Sequence, residues 1–519
     1  MAKSALKLFI KKQDLLKKVK QYFQEAKQDK ERAYSLVDIA DNKTESTGHQ
    51  QSLLVVFKNW YDGDQWNIDP LTGKKISKNN KIAYPVINYT KTIINHEVGL
   101  FKKTNPSFYT TPVEDSDIKS AEAVDSLLRY FWKKRKIGEK VALAYKDSKI
   151  YGTAFLKVIW NSFIDDIDVV PINPVNVFPD KFGTSIDEMR FIHIVYIKPA
   201  EYLKAKYGKK YDKDVVLKET WINKGVIGED GYCVVWTDKE ILDIKPLSGL
   251  TEGSKIPIIA IRNDPSTDRF WGSSQVRELA ALQILHNKTL GLILDALLIN
   301  NSGRLITTDE TLKVTNNPLD IIHYQNGEQV TVLPPIPVNN GLYDILNFTS
   351  YPMAQQLSDV FSVDTMARHR TASGIAALES ESNTKVESDI REISSVMSKL
   401  GMFLVDFALK LYTTKDLKRI LGNTDVKIKN IKHYDIQINM SSDLPTDRIS
   451  KINTLMQMAQ MHIIQPSTVL SVLNIPELNE AAKQEGAANN KMQDIMQALQ
   501  SGGAPTEAPT DIPQEGGEH

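Results

Sequence analysis

The sequence predicts an α+β fold in which antiparallel strands precede several long helices. Between residues 150 and 262, apolar and polar residues alternate with a period of two in short runs, which is typical of half-buried antiparallel strands. Beyond residue 270, apolar residues recur at three- and four-residue spacing over long runs, which is typical of helices. A chain of 519 residues exceeds one ordinary core, so we expect more than one folding unit.

The overall charge and cysteine content exclude several classes of protein. Basic and acidic residues number 64 each, so the chain as a whole does not attract nucleic acid, and any such contact must be local or weak. The single cysteine, Cys233, excludes an internal disulfide and a cysteine-based zinc cluster. The N-terminal lysines are not followed by an apolar segment with a cleavage site, so we expect no secretory signal.

The sequence predicts a basic helical arm over residues 1–50. An irregular apolar stripe from Leu6 to Phe23 runs among lysines. Two interpretations stay open, namely contact with nucleic acid or a partner, and a solvated lysine-rich helix face.

The next helix is predicted to end in a turn at Gly63, with Trp60 and Trp66 on either side. Asp62 and Asp64 are reminiscent of a calcium loop, but the glycine and terminal glutamate of such a loop are missing, so no metal is predicted.

The pattern from Ala121 to Tyr151 is helical and contains the basic patch Lys133–Lys136, which would either bind phosphate or be an exposed helix end favoured by the dipole. Strands are then predicted at 150–160, 167–170, 191–196, 215–221, 231–236 and 257–262.

The stretch from Trp271 to Tyr412 organises the rest of the chain. Its first helix ends at Asn300 and is apolar almost all round between 290 and 299, so several sides must be covered. Charged residues interrupt this helix too often for a membrane span, so neighbouring protein is the predicted cover.

A compact insert follows from Gly303 to Gly341, with three short predicted strands and an Asn326-Gly327 hairpin signal. Helical spacing resumes at 343–363, and a small polar loop leads to a third helix, which is predicted to begin at the capping box of Thr384. Strands are expected at 426–428 and 436–440, a Met-rich helix at 447–464, and a disordered polar tail beyond about residue 486.

Three motifs accompany this order of elements, namely Tyr61-x-Gly-x-Gln-Trp66, Pro174-x-x-Val-Phe-Pro179 and Ser373-Gly-Ile-Ala376. Together, the motifs and their order resemble the portal proteins of tailed bacteriophages. The resemblance covers roughly residues 55–475. It implies a portal-like α+β fold with an N-terminal arm 1–50, wing 51–270, first stem helix 271–300, clip 301–342, second stem helix 343–364, tunnel loop 365–383, tunnel helix 384–412, return to the wing 413–442, crown 443–485 and disordered tail 486–519.

The same resemblance implies a structural, non-enzymatic role with no cofactor, no metal and no catalytic residues. The chain would form a homo-oligomeric ring, usually of twelve subunits, at one capsid vertex. Double-stranded DNA would enter and leave through the ring, which would be assembled in the host cytoplasm and kept in the virion. The implied partners are the terminase packaging motor, head–tail adaptor or tail proteins, and the major capsid and scaffolding proteins, with no membrane.

Three groups of residues are implied as sites. The DNA-channel group is Arg368, His369, Arg370, Ser373, Gly374 and Lys385. The subunit-interface group is Leu282, Leu285, Leu290, Leu294 and Leu297. The group that would dock the motor or adaptor is Asp309, Glu310, Lys313 and Asn326.

Two other classes of function remain as alternatives. A metal-dependent nucleic-acid-processing enzyme would use carboxylates such as Asp165, Asp166 and Asp168, although alternation along a strand sends only the last two to one face and a solvated hairpin is the simpler interpretation. A head–tail connector or scaffold that does not encircle DNA is the other alternative. The sequence contains no phosphate-binding loop or hydrolase motif of the common types.

Overall fold

The computed structural model describes residues 12–34, 53–76, 83–103, 107–112, 118–267, 269–301, 304–306, 331–333, 340–358, 372–421 and 436–441. The chain divides into two compact units, Met1–Ser442 and Asp443–His519, and every described residue lies in the first. The predicted crown and tail therefore lie outside the described residues.

The described helices alternate with strands in the first half of the chain and dominate the second half. The helices are α1 (Lys12–Tyr34), α2 (Leu53–Asp62), α3 (Tyr89–Lys103), α4 (Ile118–Lys134), α5 (Ile137–Tyr151), α6 (Ala200–Tyr207), α7 (Gln275–Asn301), α8 (Asn340–Ser358), α9 (Ala372–Leu411) and α10 (Thr414–Leu421).

The strands are β1 (Ser107–Pro112), β2 (Thr153–Asn161), β3 (Asp166–Ile172), β4 (Val177–Pro179), β5 (Phe191–Lys198), β6 (Val215–Ile222), β7 (Tyr232–Trp236), β8 (Ile241–Pro246), β9 (Ile258–Arg262), β10 (Arg304–Ile306), β11 (Thr331–Leu333) and β12 (Ile436–Ser441). All of their pairings are antiparallel, as predicted. This mixture of helix and sheet is compatible with the α+β class.

The strands between 153 and 262 form two sheets. A three-stranded sheet has the order β3-β2-β9, and a five-stranded sheet has the order β4-β5-β6-β7-β8. Strand β9 returns across the intervening chain to pair with β2 in the register Lys157↔Ile258 to Thr153↔Arg262. Periodicity identifies a strand but does not give its partner, so the division into two sheets does not follow from the sequence pattern.

The predicted helix to Tyr151 and the predicted strand from Ile150 overlap, and the structure places both residues in the helix α5. Gly152 adopts a left-handed conformation with φ of 86°, and its N–H donates to the carbonyl of Ser148 at 2.8 Å. This is a helix C-cap, so Ile150 and Tyr151 belong to the last turn of α5 despite their strand-like composition.

The main core surrounds the three-stranded sheet and includes side chains from α2, α4, α5 and α9. A second cluster packs α1 on the five-stranded sheet through Leu15, Val19, Tyr22 and Phe23. The apolar stripe of the predicted basic arm is therefore a docking face, and its lysine-rich remainder is the exposed side.

Helix α1 is also fastened by a buried lysine. The ammonium group of Lys30 donates to the carbonyls of Pro174, Val175 and Val177 at 2.7–2.8 Å. Burial lowers the pKa of Lys30 to about 7. The Pro174–Pro179 turn thus serves as the attachment point of the N-terminal helix.

Helix α9 begins at Ala372 instead of Thr384, so Ser373, Gly374 and Lys385 lie on helical backbone and the predicted loop is shorter. The segment after Ala372 is rich in Ala, Leu and Glu, and their helix propensity outweighs the cost of about 1 kcal/mol for one glycine. Arg368, His369 and Arg370 lie outside the described residues.

Two short strand pairs join distant parts of the chain. Strand β12 pairs with β1 from Ser107↔Ser441 to Pro112↔Ile436, so the chain returns to its first half after α9. Strands β10 and β11 pair at the base of the insert between α7 and α8. Asp309, Glu310, Lys313 and Asn326 lie within that insert and outside the described residues.

Candidate functional site: the apolar surface of helices α7 and α8

Helix α7 starts where two backbones cross at a pair of glycines. A Cβ on Gly272 would lie 2.3 Å from the carbonyl oxygen of Asn263 and 2.4 Å from that of Gly152. The hydroxyl of Ser274 donates to the carbonyl of Ile150 at 2.5 Å, and the N–H of Gly272 donates to the Thr153 hydroxyl at 2.9 Å. Only glycine allows this approach, which fixes α7 to the end of α5.

One face of α7 is joined to the body by buried amides. The Gln283 amide nitrogen donates to the carbonyl of Ile87 at 2.7 Å, and its oxygen accepts from the N–H of Thr90 at 3.3 Å. The carboxylate of Asp295 accepts from the N–H of Ala83 at 2.9 Å. These bonds hold α7 against the segment that leads into α3.

The Tyr61–Trp66 motif supplies another attachment for α7. Gln65 is 2% exposed, and its amide oxygen accepts from Asn287 of α7 at 2.7 Å. Its amide nitrogen donates to the backbone carbonyl of Trp60 at 3.2 Å and to Asn88 at 3.1 Å. Trp66 Nε1 donates to the carbonyl of Pro85 at 2.9 Å. The motif from the sequence therefore positions α7, and no metal ligand role is needed to explain it.

Helix α8 packs beside α7 along a narrow apolar seam. Met353 of α8 is buried with Ile93 and with Leu279 of α7. The hydroxyl of Thr349 lies 3.1 Å from His286 Nδ1. Burial lowers the pKa of His286, so its neutral form is favoured.

The outward side of α7 carries leucines that remain substantially exposed in the described chain. Leu285 is 42% exposed and Leu292 is 51% exposed. A seven-residue spacing places these two on one face of the helix, opposite the Gln283 face. Further along, Leu294, Leu297 and Leu298 are exposed by 37%, 40% and 61% on other faces. The end of α7 is thus apolar and exposed on several sides.

The outward side of α8 carries aromatic and aliphatic side chains. Phe348 is 70% exposed, Tyr351 is 68% exposed, and Tyr343 and Ile345 are each about 40% exposed (42% and 40%). Because Phe348 and Tyr351 are three residues apart, they lie on the same face of α8. We call the exposed side chains of both helices the leucine–aromatic surface. Its members are Leu285, Leu292, Leu294, Leu297, Leu298, Tyr343, Ile345, Phe348 and Tyr351.

Exposed apolar side chains in this number are typical of a docking site. Single exposed apolar residues are ordinary, but contiguous apolar patches of several hundred Å² are characteristic of interfaces. Full burial of one Leu or Phe contributes about 1.5–3 kcal/mol, so several such residues together can hold a stable contact.

The predicted interface residues divide between the two sides of α7. Leu285, Leu294 and Leu297 lie in the leucine–aromatic surface, whereas Leu282 and Leu290 are half-buried. Leu282 packs on the cluster of Ile93, Leu279 and Met353. The helical spacing of Leu292 from Leu285, and of Tyr351 from Phe348, was a signal that could have added the missed residues.

Helix α9 is anchored to the body by a buried charge cluster. The Lys149 ammonium lies 2.7 Å from the Asp389 carboxylate and 3.6 Å from that of Glu97. The hydroxyl of Tyr145 donates to Asp389 at 2.5 Å, and burial together with the nearby carboxylates raises the pKa of Tyr145. Gln275 of α7 donates to Glu97 at 2.8 Å, so this cluster connects four helices, α3, α5, α7 and α9.

The acidic hairpin and the basic patch neutralise each other. Asp166 accepts from Lys134 at 3.0 Å and also bonds Arg135 and Tyr412, and Lys140 pairs with Asp168. Burial alone would raise the pKa of Asp166, but its hydrogen bonds hold the pKa below the ordinary value. The expectation of a solvated hairpin is wrong for Asp166, and these carboxylates are structural.

The described ranges were also searched for a metal-binding cluster and for a membrane-spanning helix, neither of which the sequence predicts. Within the ranges given above, no group of three or more His, Cys, Asp or Glu residues could hold a metal ion. None of the helices in those ranges has the length and hydropathy required to cross a membrane.

Comparison with known proteins finds a match between part of this chain and a protein-family model. No curated protein matches the chain. Residues 55–241, from α2 to the start of β8, match the family model of the phage P22-like portal protein. This segment includes the Tyr61–Trp66 motif, the β2–β3 hairpin and most of the five-stranded sheet, and it ends before α7 and α8. The match confirms the resemblance found in the sequence and identifies residues 55–241 as a P22-like phage portal domain, consistent with a tailed-phage portal protein.

Proposed function

We propose that this chain is a portal protein that forms a ring at one capsid vertex and provides the channel through which double-stranded DNA is packaged and ejected. The family match supports a phage portal role and a structural, non-enzymatic function in the virion. The leucine–aromatic surface is the structural observation on which the proposal of a ring rests. It lies on two long helices fastened to the portal domain, and its side chains are 37–70% exposed.

A second copy of the same chain is the cover that fits. In a closed ring each subunit contacts two neighbours through two different surfaces. A helix that is exposed and apolar on several sides, as α7 is from Leu292 to Leu298, suits contact with both neighbours. We propose a ring of twelve subunits, in which Leu285, Leu292, Leu294 and Leu297 contribute to the contacts.

The elements take portal roles in this proposal. The body from α2 to β9 is the wing, α7 and α8 are the two stem helices, and α9 is the tunnel helix. The insert that is closed by β10 and β11 is the clip, where Asp309, Glu310, Lys313 and Asn326 would dock the packaging motor or the tail adaptor. Residues 443–485 are the crown.

Passage of DNA requires weak contact with the duplex. Double-stranded DNA carries a charge every ~1.7 Å of axis, and each neutralised phosphate strengthens binding, so a channel lined evenly with lysine would hold the DNA in place. We propose that Arg368, Arg370 and Lys385, offset by Glu379, Glu381 and Glu387 in the same stretch of sequence, form a sparse contact that lets DNA slide. His369, Ser373 and Gly374 belong to the same region.

The remaining partners follow from these roles. The terminase motor and later the head–tail adaptor or tail proteins would bind the clip, and the major capsid and scaffolding proteins would surround the wing. The location would be the portal vertex of the virion, after assembly in the host cytoplasm.

Electron microscopy of the purified full chain tests the ring. We expect rings with a central channel for the wild type, and monomers for the double variant Leu285→Ser/Leu292→Ser. Leu143→Ser is the matched control, because Leu143 is 48% exposed on α5 and lies outside the surface. Filled particles would favour a connector that does not encircle DNA, and a monodisperse monomer at high concentration would contradict the proposal.

The DNA contact has its own test. Replacement of Arg368, Arg370 and Lys385 together by alanine should leave the ring intact but change packaging or retention of DNA in an in vitro packaging assay. The control replaces Lys204, Lys206 and Lys210, which are exposed on or beside α6. Equal packaging by the two triple variants would contradict the role of the channel residues.

A further inference from the structure

The tip of the β2–β3 hairpin carries two exposed apolar side chains. Phe163 is 85% exposed and Ile164 is 45% exposed. The turn is held by its own polar groups, since the N–H of Phe163 donates to the side-chain oxygen of Asn161 at 3.1 Å. Asp165 follows in a left-handed conformation with φ of 47° and is exposed. The tip is therefore an apolar projection with one carboxylate beside it.

A groove of complementary character lies between β9 and α9. Its volume is about 390 Å³. The apolar lining comes from Ile259, Ile261, Phe270, Val396 and Phe403. The charged lining consists of Arg262, Lys399 and Asp187, of which the last two form an ion pair. The groove thus offers an apolar floor and one net positive charge.

The tip and the groove lie far apart in one chain. Strand β9 pairs with β2 only as far as Lys157↔Ile258, and Phe163 lies six residues beyond Lys157. At about 3.3 Å per residue, the tip lies roughly 20 Å beyond the end of β9. In addition, β9 is an edge strand of the sheet and the hairpin partner β3 is the opposite edge. A chain therefore cannot insert its own tip into its own groove.

We propose that the hairpin tip of one copy inserts into the β9–α9 groove of the next copy in the ring. Phe163 and Ile164 would fill the apolar floor, and Asp165 would lie near Arg262 and Lys399. The two surfaces differ and lie at opposite ends of one sheet, as a head-to-tail contact between identical subunits requires. This contact rests on the proposed ring and adds to the leucine–aromatic surface a second interface, made by the portal domain and α9.

Cysteine cross-linking tests the contact in the full chain. The variant Ser162→Cys/Ser395→Cys places one thiol at the tip and one in the groove, while the native Cys233 is buried. A disulfide requires Cα atoms about 4.4–6.8 Å apart, so a bond between these two sites joins different copies. Under mild oxidation we expect a ladder of covalent multimers up to the ring. The two single variants should give no ladder.

A second measurement uses the apolar tip itself. Phe163→Ser should raise the protein concentration at which rings dissociate by about tenfold or more, because the burial of one large side chain is lost. Phe182→Ser is the matched control, since Phe182 is also highly exposed, at 71%, and lies outside tip and groove.

The outcomes distinguish a failure of the tip–groove contact from a failure of the proposed ring. Wild-type rings without a ladder in the double-cysteine variant, or equal weakening by Phe163→Ser and Phe182→Ser, would overturn the contact and leave the ring proposal intact. Absence of rings in the wild type would contradict both.

Discussion

The portal domain and the α7–α8 helix pair differ in how they pair their polar groups and in where they place their apolar side chains. In the domain, charged groups find partners within the chain, as Asp166 does with Lys134 and Arg135, and large apolar groups such as Trp60 and Phe155 are buried. On the helix pair, the amides of Gln283 and Asn287 are buried and bonded, yet the leucines and aromatics face outward. The domain thus exposes large apolar side chains at scattered places such as Phe163 and Phe182, whereas the helix pair is fixed in place and concentrates them on two helices for a partner to cover.

The comparison predicts that substitutions at the junction of the two regions have the largest effect. Gly272→Val should reduce the free energy of unfolding by more than about 4 kcal/mol, because its side chain meets two backbone carbonyls that cannot move apart cheaply. Thermal unfolding or loss of soluble expression measures this. Gly99→Ala is the control, since nothing lies within 4 Å of that Cβ in α3, and alanine should be neutral or stabilising there. Equal stability of the two variants would contradict the claim that the backbones at Gly272 leave no room for a side chain.

Removal of an internal ion pair should have the next largest effect. Asp166→Asn leaves Arg135, whose side chain is 12% exposed, with an uncompensated charge and should cost about 3 kcal/mol. Denaturant unfolding measures this, and Glu139→Gln is the control because Glu139 pairs with Lys136 at the surface, where the two side chains are 74% and 71% exposed.

The Asp166 carboxylate should also make the free energy of unfolding depend on pH. The folded-state pKa of Asp166 is lowered, so its contribution is present above the unfolded pKa of about 3.9 and is lost as the pH falls through the folded value. The difference in stability between the wild type and Asp166→Asn should therefore shrink as the pH is lowered below about 4. A difference that is constant with pH would show that the carboxylate charge is not what stabilises this site.

The smallest effect on folding is expected at the leucine–aromatic surface. Leu292→Ser should change the unfolding free energy of the monomer by no more than about 0.5 kcal/mol, since the side chain is 51% exposed, while it weakens assembly. Unfolding measured below the assembly concentration checks this, with Leu143→Ser as the comparison. A large loss of monomer stability would mean that α7 is covered by its own chain.

Local sequence patterns predicted the elements but not the pairings. The helix from 273 to 300 and the strands at 167–170, 191–196 and 215–221 were recognised because their spacing is a local property. The bond between Asn287 and Gln65 and the pair of Lys134 with Asp166 join residues far apart in the chain, and no periodicity records such contacts.

Errors at element ends also have physical causes. Ile150 and Tyr151 have strand-like side chains, but the left-handed Gly152 makes them the end of a helix. The capping box at Thr384 is a valid start signal that lies inside a longer helix, because the preceding segment also favours helix. Of the candidate site, the exposed apolar face of α7 followed from its sequence, whereas the exposure of Phe348 and Tyr351 depended on how α8 packs on α7.

The short ladder of β10 and β11 has a consequence for how this protein can diversify. Three residue pairs, from Arg304↔Leu333 to Ile306↔Thr331, bring the two ends of the insert together beside α7 and α8. Since the closure cost of a loop grows by only about 0.6 kcal/mol for each doubling of its length, the chain between these strands can be lengthened, shortened or exchanged with little effect on the helices. Chains that differ in the length or sequence of this insert can therefore retain the same pair of helices.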